Sequence, residues 1–467
     1  MQDVENQTAP EVPAFRDDGG NVSGAFAALV SQAVTTGDAA SLRALVSDLH
    51  EADVGALIEA LDSGERPRFI ELLGEDFDFT ALTEVDDAVR EEILEEIPNE
   101  EIAEGVRDLE VDDAVYILED LDEEDKAEVL DRLPALERVA LQRSLEYPED
   151  SAGRRMQTQF IAVPPFWSVG QTIDYMRETE DLPDTFYEIF VIDPGYHLIG
   201  TVPLDKLLRS KRPMKIGDIM SEDQHLIRAT DDQEEAARLF QRYNLVSCAV
   251  VDVSNRLVGV MMVDDIVDVI EEEADEDLKA LGGVKGDEEL SDTVLYTVKS
   301  RFPWLFANLI TAVLAATVIA FFEHSIERMV ALAVLMPIVA SMGGNAGTQT
   351  MTVTVRALAT KELHRSNAWR VIRRELAVGA TNGLAFALIL GSVAVGWFGI
   401  RDLGIVIGMA ILTVLTTAAL GGILIPLLLS RFGVDPAVSS GPFVTTITDV
   451  VGFFSFLGIA TLWFGLS

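Results

Sequence analysis

Five stretches in the last third of the chain carry almost no charge. They run from Phe302 to Phe322, Met329 to Val355, Leu376 to Ile400, Leu403 to Ser430 and Gly441 to Ser467, and Asp449 is the only charged residue in any of them. Each is close to or beyond the ~20 apolar residues that a helix needs to cross a bilayer core. With no water there, a backbone satisfies its own N–H and C=O groups only as a helix or a closed barrel. Runs of this length predict five membrane-spanning helices.

Asp449 is the exception that points to function. If Pro442 occupies the first helical turn, where its missing N–H costs nothing, Asp449 lies roughly 10 Å inside the helix. A charge at such depth costs at least ~2.5 to 3.5 kcal/mol, so it normally faces a bundle interior or water and marks an ion or proton path. The bland alternative is an interfacial acid near a helix start, favoured there by the dipole. The second run, Met336-Pro337-Ile338-Val339-Ala340-Ser341-Met342-Gly343-Gly344-Asn345-Ala346-Gly347-Thr348-Gln349-Thr350, adds polar groups where they are costly. Its proline and glycines loosen a helix or admit a close neighbour. Asn345, Thr348 and Gln349, with Thr445, Thr446 and Thr448 near Asp449, read as a hydrated polar lining rather than as helix-packing contacts.

Basic residues give the orientation. Lys299 and Arg301 precede the first run, Arg356 to Arg374 follow the second, and Arg431 follows the fourth, whereas Glu323, Glu327 and Asp402 fall in the other loops. By the positive-inside rule the N-terminal half is cytoplasmic and the C-terminus is outside. The expectation is a multi-pass protein of the cell membrane.

The remainder of the chain has the opposite character. The net charge is −43, from 78 Asp and Glu against 35 Lys and Arg. From Ser291 onward 11 Lys and Arg outnumber 8 acids, so the whole excess lies before Ser291. Such a field repels nucleic acid and attracts cations. Part of it suits a solvated surface in a high-salt cytoplasm, and part suits divalent-cation sites. Cys248, the only cysteine, excludes an internal disulfide and a Cys-based metal site. The polar, acidic N-terminus does not resemble a cleaved signal peptide.

Residues 1–22 are expected to be a disordered tail. Residues 23–150 break into short amphipathic segments such as Glu92 to Pro98, Ala114 to Leu121 and Ala127 to Pro134. Apolar residues recur there at three and four, which predicts a small superhelical stack of helices. Its acids, Asp112 and Asp113 among them, are helix caps and a wet face by default. Residues 151–273 contain a repeat. Val191-Ile192-Asp193-Pro194-Gly195-Tyr196-His197-Leu198-Ile199-Gly200-Thr201-Val202 is echoed by Val250-Val251-Asp252-Val253-Ser254-Asn255-Arg256-Leu257-Val258-Gly259-Val260-Met261. Each copy reads strand, turn, strand, then a helix that begins near an acid, Asp205 or Asp264.

This repeat resembles a tandem pair of CBS domains, modules that sense ligands and usually dimerise. In that superfamily an adenine nucleotide often lies between the copies, so ATP is a candidate ligand, with Asp205 as its contact. The usual hydroxyl is missing from both Pro203-Leu204-Asp205 and Met262-Val263-Asp264, so metal sensing ranks above nucleotide binding. After the repeat, Asp264, Asp265, Asp268, Glu272, Glu273 and Glu276 crowd one helix. Carboxylates one turn apart repel one another, and hard oxygens gathered this way suit Mg²⁺ or Ca²⁺. Residues 274–301 then form a connecting region whose second helix, about Glu288 to Arg301, leads into the membrane domain, residues 302–467.

Gly343-Gly344-Asn345-Ala346-Gly347-Thr348-Gln349, the run Pro442 to Asp449, the CBS pair and the acidic helical N-terminal region together resemble the MgtE family of magnesium channels. The resemblance implies three parts: an α-helical superhelical N-terminal domain, an α/β tandem CBS pair and an all-α five-span membrane domain. It also implies a homodimer with a pore on the two-fold axis, lined by the second and fifth spans, and no enzymatic activity. Asp449 matches the pore aspartate, with Thr445, Thr448, Asn345, Thr348 and Gln349 beside it. Asp264, Asp265, Asp268, Glu272, Glu273 and Glu276, with Asp112 and Asp113, match an acidic region that binds regulatory Mg²⁺. The function implied is Mg²⁺ uptake closed by cytosolic Mg²⁺; the alternative is a proton- or sodium-coupled divalent-cation transporter. Gly441 supplies no side-chain ligand at the mouth.

Overall fold

The computed structural model describes residues 13–179, 182, 183, 185–286, 288, 293–364 and 366–466. The chain divides into two compact units, one essentially up to Glu273 and one from Ala274 on.

In the first unit, residues 13–22 lie in the stretch expected to be disordered, and residues 1–12 of that stretch fall outside the described residues. The described part is a tight turn. Arg16 pairs with Val22 across it, the Asp17 carboxylate accepts from the Gly19 and Asn21 N–H groups, and Phe15 packs edge-on against Phe26 at 5.3 Å. Short helices follow, from Gly24–Thr36 to Ala135–Leu145. They are ended by the devices the residues supply. Gly37 closes the first at φ 72°, a left-handed conformation that costs glycine nothing. Asp122 caps Glu123–Arg132 by accepting from Glu124 and Asp125 N–H. Each helix is too short to be stable alone; stacking buries one face of each around Phe69, Leu82, Ile93, Ile102, Ile117 and Leu118.

The repeat forms two equivalent three-stranded sheets. β1 (Ala162–Val163) pairs parallel with β2 (Glu188–Ile192), which pairs antiparallel with β3 (Leu198–Pro203). β4 (Leu226–Arg228), β5 (Ser247–Val251) and β6 (Leu257–Met262) repeat that order. The turns match atom for atom. Asp193 Oδ1 accepts from Gly195 and His197 N–H, and Asp252 Oδ1 accepts from Ser254 and Arg256 N–H. The copies interlock through glycine. The opening Met220 packs on Gly200 of the other copy and Met156 on Gly259, where an added Cβ would lie 2.8 and 2.6 Å from the sulfur. The helix that begins with β6's last turn runs Val263–Gly282.

The second unit contains five helices long and apolar enough to cross a membrane, Val294–Ala320, Val330–Ala359, Ala368–Phe398, Arg401–Arg431 and Ser440–Phe464. The fourth is the centre, with half of its apolar window buried. It touches the third where Gly391 and Gly404 meet backbone to backbone, a Cβ on Gly404 falling 2.7 Å from the Gly391 carbonyl oxygen. Small residues at such crossings let helices approach closely, and dispersion then holds them in lipid.

The described part of the connecting helix expected from about Glu288 to Arg301 runs from Val294, capped by Thr293, straight into the first span, and residues 289–292 lie outside the described residues. Two expectations change here. The second span is a single helix through Pro337 and the glycines, because Gly343 and Gly347 are spent on packing against Val414, Val444 and Thr448. The fifth begins at Pro436, capped by Asp435. Pro442 is therefore inside the helix, and Asp449 lies about 20 Å from its start.

Candidate ion sites

Asp449 is half-buried in the fifth span, and no hydrogen bond or ion pair engages it among the described residues. Thr445, one turn earlier, is exposed and donates to the Gly441 carbonyl at 3.0 Å. Thr448 is fully buried. Its methyl lies 3.2 Å from where a Gly347 Cβ would stand, and its hydroxyl donates to the Thr445 carbonyl at 2.9 Å. That placement differs from the expected polar lining: Thr448 packs a helix crossing, because only a small side chain fits above the glycines.

On the second span, Asn345, Thr348 and Gln349 are all exposed and, three and four apart, share one face. The opposite face, Gly343, Gly347, Thr350 and Met351, is buried against the fourth and fifth spans. One chain therefore does not gather these groups with Asp449. It leaves an amide-and-hydroxyl stripe uncovered at mid-span, where polar groups are expensive without a partner.

The acidic site of the first unit is assembled from two helix N-termini. Asp112 and Asp113 sit in the first turn of Val111–Glu119, and Asp264 and Asp265 in the first turn of Val263–Gly282. Burial, Asp265, Asp113 and Glu110 hold the Asp112 carboxyl well above the usual range. Burial, Asp264 and Asp113 do the same to Asp265. Burial and the charges of Glu110, Glu84, Asp264 and Asp268 raise Asp113 from 3.8 to about 6. Asp112 Oδ1 is buried with no hydrogen-bond donor. A buried carboxylate oxygen without a donor, ringed by other carboxylates, calls for a cation. Hard oxygen donors fit Mg²⁺. Among the described residues no three acidic, His or Cys side chains are yet gathered as a coordination shell, as mutual repulsion dictates.

The other acids of the Val263–Gly282 helix divide. Asp268 and Glu276 are exposed. Glu272 Oε2 pairs with Arg155 Nη2 at 2.7 Å, and Glu273 accepts from Gln233 Nε2 at 2.9 Å. These last two are held by the CBS pair rather than turned toward Asp264. Asp205 stands exposed on its helix. It does not line the cleft between the copies beside Glu188 and Ser247.

Several participants escaped sequence reading. Glu84 and Glu110 reach the acidic site from loops, and Arg155 reaches Glu272 across 117 positions. Only a doubled arginine, Arg154-Arg155, in an acid-rich region signalled them.

Five apolar helices, a lone carboxylate within one of them, a CBS pair and an acidic helical domain define a multi-pass membrane protein of the cation-transport class. The divalent cation transporter profile of MgtE matches residues 336–459, the MgtE intracellular N domain residues 49–150, and the CBS domain residues 216–272. Magnesium transporter MgtE of Thermus thermophilus is 32% identical over 457 residues, 94% of this chain and 98% of that one. That of Bacillus subtilis is 30% identical over 420 residues, 90% and 93% of the two chains. The crystal structure of the cytosolic domain of the Mg²⁺ channel MgtE in complex with ATP is 28% identical, covers 52% of this chain and 99% of that one, and superposes with a TM-score of 0.49. The chain belongs to the MgtE family of magnesium transporters, which is not a family of enzymes.

Proposed function

We propose that this chain forms a homodimeric, Mg²⁺-selective channel for uptake across the cell membrane, closed by cytosolic Mg²⁺. The observation that carries this reading is Asp449, without a hydrogen-bond or ion-pair partner among the described residues some 20 Å into a span, next to a second span with an uncovered polar face. A second copy would cover that face and bring two Asp449 carboxylates to a shared axis. Mg²⁺ gives up its water reluctantly, so the pair would hold the transported ion through its waters and select by charge and hydrated size.

The acidic half acts as the sensor. Asp112, Asp113, Asp264 and Asp265 would hold a regulatory Mg²⁺, with Asp268, Glu84 and Glu110 around them, and the ion would supply the positive charge that these buried carboxylates lack. Without it they repel, and the helical domain and the CBS pair are driven apart at this edge. The basic loops favour a cytoplasmic N-terminal half and an external C-terminus. No nucleotide is needed, although ATP at the CBS pair remains compatible with the reading.

Mg²⁺ uptake by liposomes holding purified protein is the test. Asp449→Ala is expected to abolish uptake while leaving the assembly intact by size-exclusion chromatography; wild-type uptake by that variant would refute the pore assignment. Uptake that tracks an imposed proton or sodium gradient instead of the Mg²⁺ gradient would replace the channel with a coupled transporter.

A further inference from the structure

A cavity of about 670 Å³ opens where the helix Ala135–Leu145 meets the two hairpin turns of the repeat. That volume lies within the range of small-molecule sites. The turns stand side by side because the Leu257 N–H donates to the Tyr196 carbonyl at 2.9 Å and His197 pairs with Arg256. Asp205, Glu188 and Ser247 do not line this space.

Three features of its wall point to an anion with an apolar part. Arg143 and Arg256 both line it, and neither has a carboxylate partner among the described residues. Partners are close at hand elsewhere in so acidic a half, where Arg66, Arg132 and Arg212 each hold one at 2.5 to 2.9 Å. Asp252 is the one carboxylate on the described wall, and its Oδ1 is taken by the Ser254 and Arg256 N–H groups. Two guanidinium groups outweigh it.

Ser144, on the same wall, is 1% exposed, and its hydroxyl has no hydrogen-bond partner. A helical serine commonly donates to the carbonyl one turn back. This one is left over, which costs free energy unless a ligand takes it up.

Tyr196 holds φ 64°, a left-handed conformation that strains a bulky residue and accumulates at functional sites. The equivalent residue of the second copy, Asn255, has φ 58°, which asparagine tolerates. The first copy thus keeps an aromatic ring, 58% exposed, on the cavity wall where asparagine would close the same turn with less strain. Phe160 lines the same space and is steadied by edge-on packing on Phe190 at 6.2 Å.

We propose that this cavity binds a small soluble phosphomonoester carrying a planar ring. Arg143 and Arg256 hold the phosphate, whose oxygens match planar guanidinium groups, and the Ser144 hydroxyl donates to it. A dianion suits two cations, which favours phosphate over carboxylate. The ring packs on Tyr196 and Phe160. The site stands whether or not the chain conducts Mg²⁺.

Isothermal titration of full-length protein in nanodiscs, at fixed millimolar Mg²⁺, tests this with phenyl phosphate, inorganic phosphate and benzoate. Phenyl phosphate is expected to bind saturably, and roughly tenfold tighter than either of the others. Arg143→Gln and Arg256→Gln should each weaken it roughly tenfold, whereas Arg68→Gln, exposed and outside the cavity, should not. Ser144→Ala should weaken it without lowering the thermal transition. Tyr196→Asn should weaken phenyl phosphate, leave inorganic phosphate unchanged and raise the transition, because the turn relaxes. Absence of saturable phenyl phosphate binding, or wild-type affinity in both Arg143→Gln and Arg256→Gln, would overturn the proposal. So would benzoate binding as tightly as phenyl phosphate.

Discussion

Asp112 and Asp449 are both half-buried carboxylates, Asp112 with one oxygen that no donor reaches and Asp449 with no partner among the described residues, yet the two regions treat them differently. Asp112 has at least three other acids close enough to raise it, in a unit that faces water. Asp449 is alone within an apolar helix. Clustered acids share and amplify repulsion, so a small change in cation occupancy alters the interface energy strongly, and that is the property of a sensor. A solitary acid in a span has no neighbour within its own chain to repel; it can be compensated only by a cation, and that is the property of a path. The same side chain therefore serves two purposes, and the surroundings decide which.

The largest effect that would sharpen this contrast is at the cluster. Asp112→Asn with Asp265→Asn removes both the repulsion and the ligands, so uptake should continue at millimolar internal Mg²⁺ where the wild type is shut. Fluorescent-indicator flux assays on Mg²⁺-loaded proteoliposomes would detect this, and retained inhibition would mean the cluster is not the sensor.

A smaller effect concerns pH. Asp113 titrates near 6 in the folded protein, against an ordinary 3.8, so between those values the folded state binds more protons than the unfolded one. Stability must then fall as pH rises through about 4 to 6, by up to about 3 kcal/mol for this group alone. Asp112, Asp265 and Glu84 are shifted the same way and add to the trend. Melting curves of the protein in EDTA should therefore show a higher transition for the soluble unit at pH 5 than at pH 7, and Mg²⁺ should flatten the difference. A transition that rises with pH in EDTA would contradict the unneutralised cluster.

The smallest expected effects belong to the glycines of the membrane unit. A Cβ on Gly422 would stand 2.7 Å from the Gly347 carbonyl oxygen and 2.9 Å from the Met351 nitrogen, both backbone atoms that cannot move aside. Gly422→Ala should cost about 1 to 3 kcal/mol, whereas Gly344→Ala, with nothing within 4 Å, should be silent. Thermal melts in detergent would separate them; equal melting points would show the crossing to be looser than drawn.

The spans and the repeat were legible because their signals are periodic and local. Length and hydropathy suffice for a helix in lipid, and the echo of Val191 to Val202 in Val250 to Met261 carried the two sheets down to the Asp193 and Asp252 turns. What sequence did not reveal depended on neighbours. Pro442 reads as a helix start, but Asp435 caps the helix seven residues earlier. Gly343 and Gly347 read either as loosening points or as places where another helix comes close, and only the packed neighbours, Val414, Val444 and Thr448, decide for the second. Thr448 differs from Thr445 only by which face of the helix it occupies. Arg155 has no local signature, since its partner Glu272 lies 117 positions away and becomes a neighbour only once the CBS pair has folded.

Patch recording with stepped internal Mg²⁺, on wild type and Asp449→Asn side by side, bears most directly on the division between path and sensor. A Mg²⁺ current that falls as internal Mg²⁺ rises, and that is absent from Asp449→Asn at every step, is the predicted result. A full Mg²⁺ current through Asp449→Asn would contradict it.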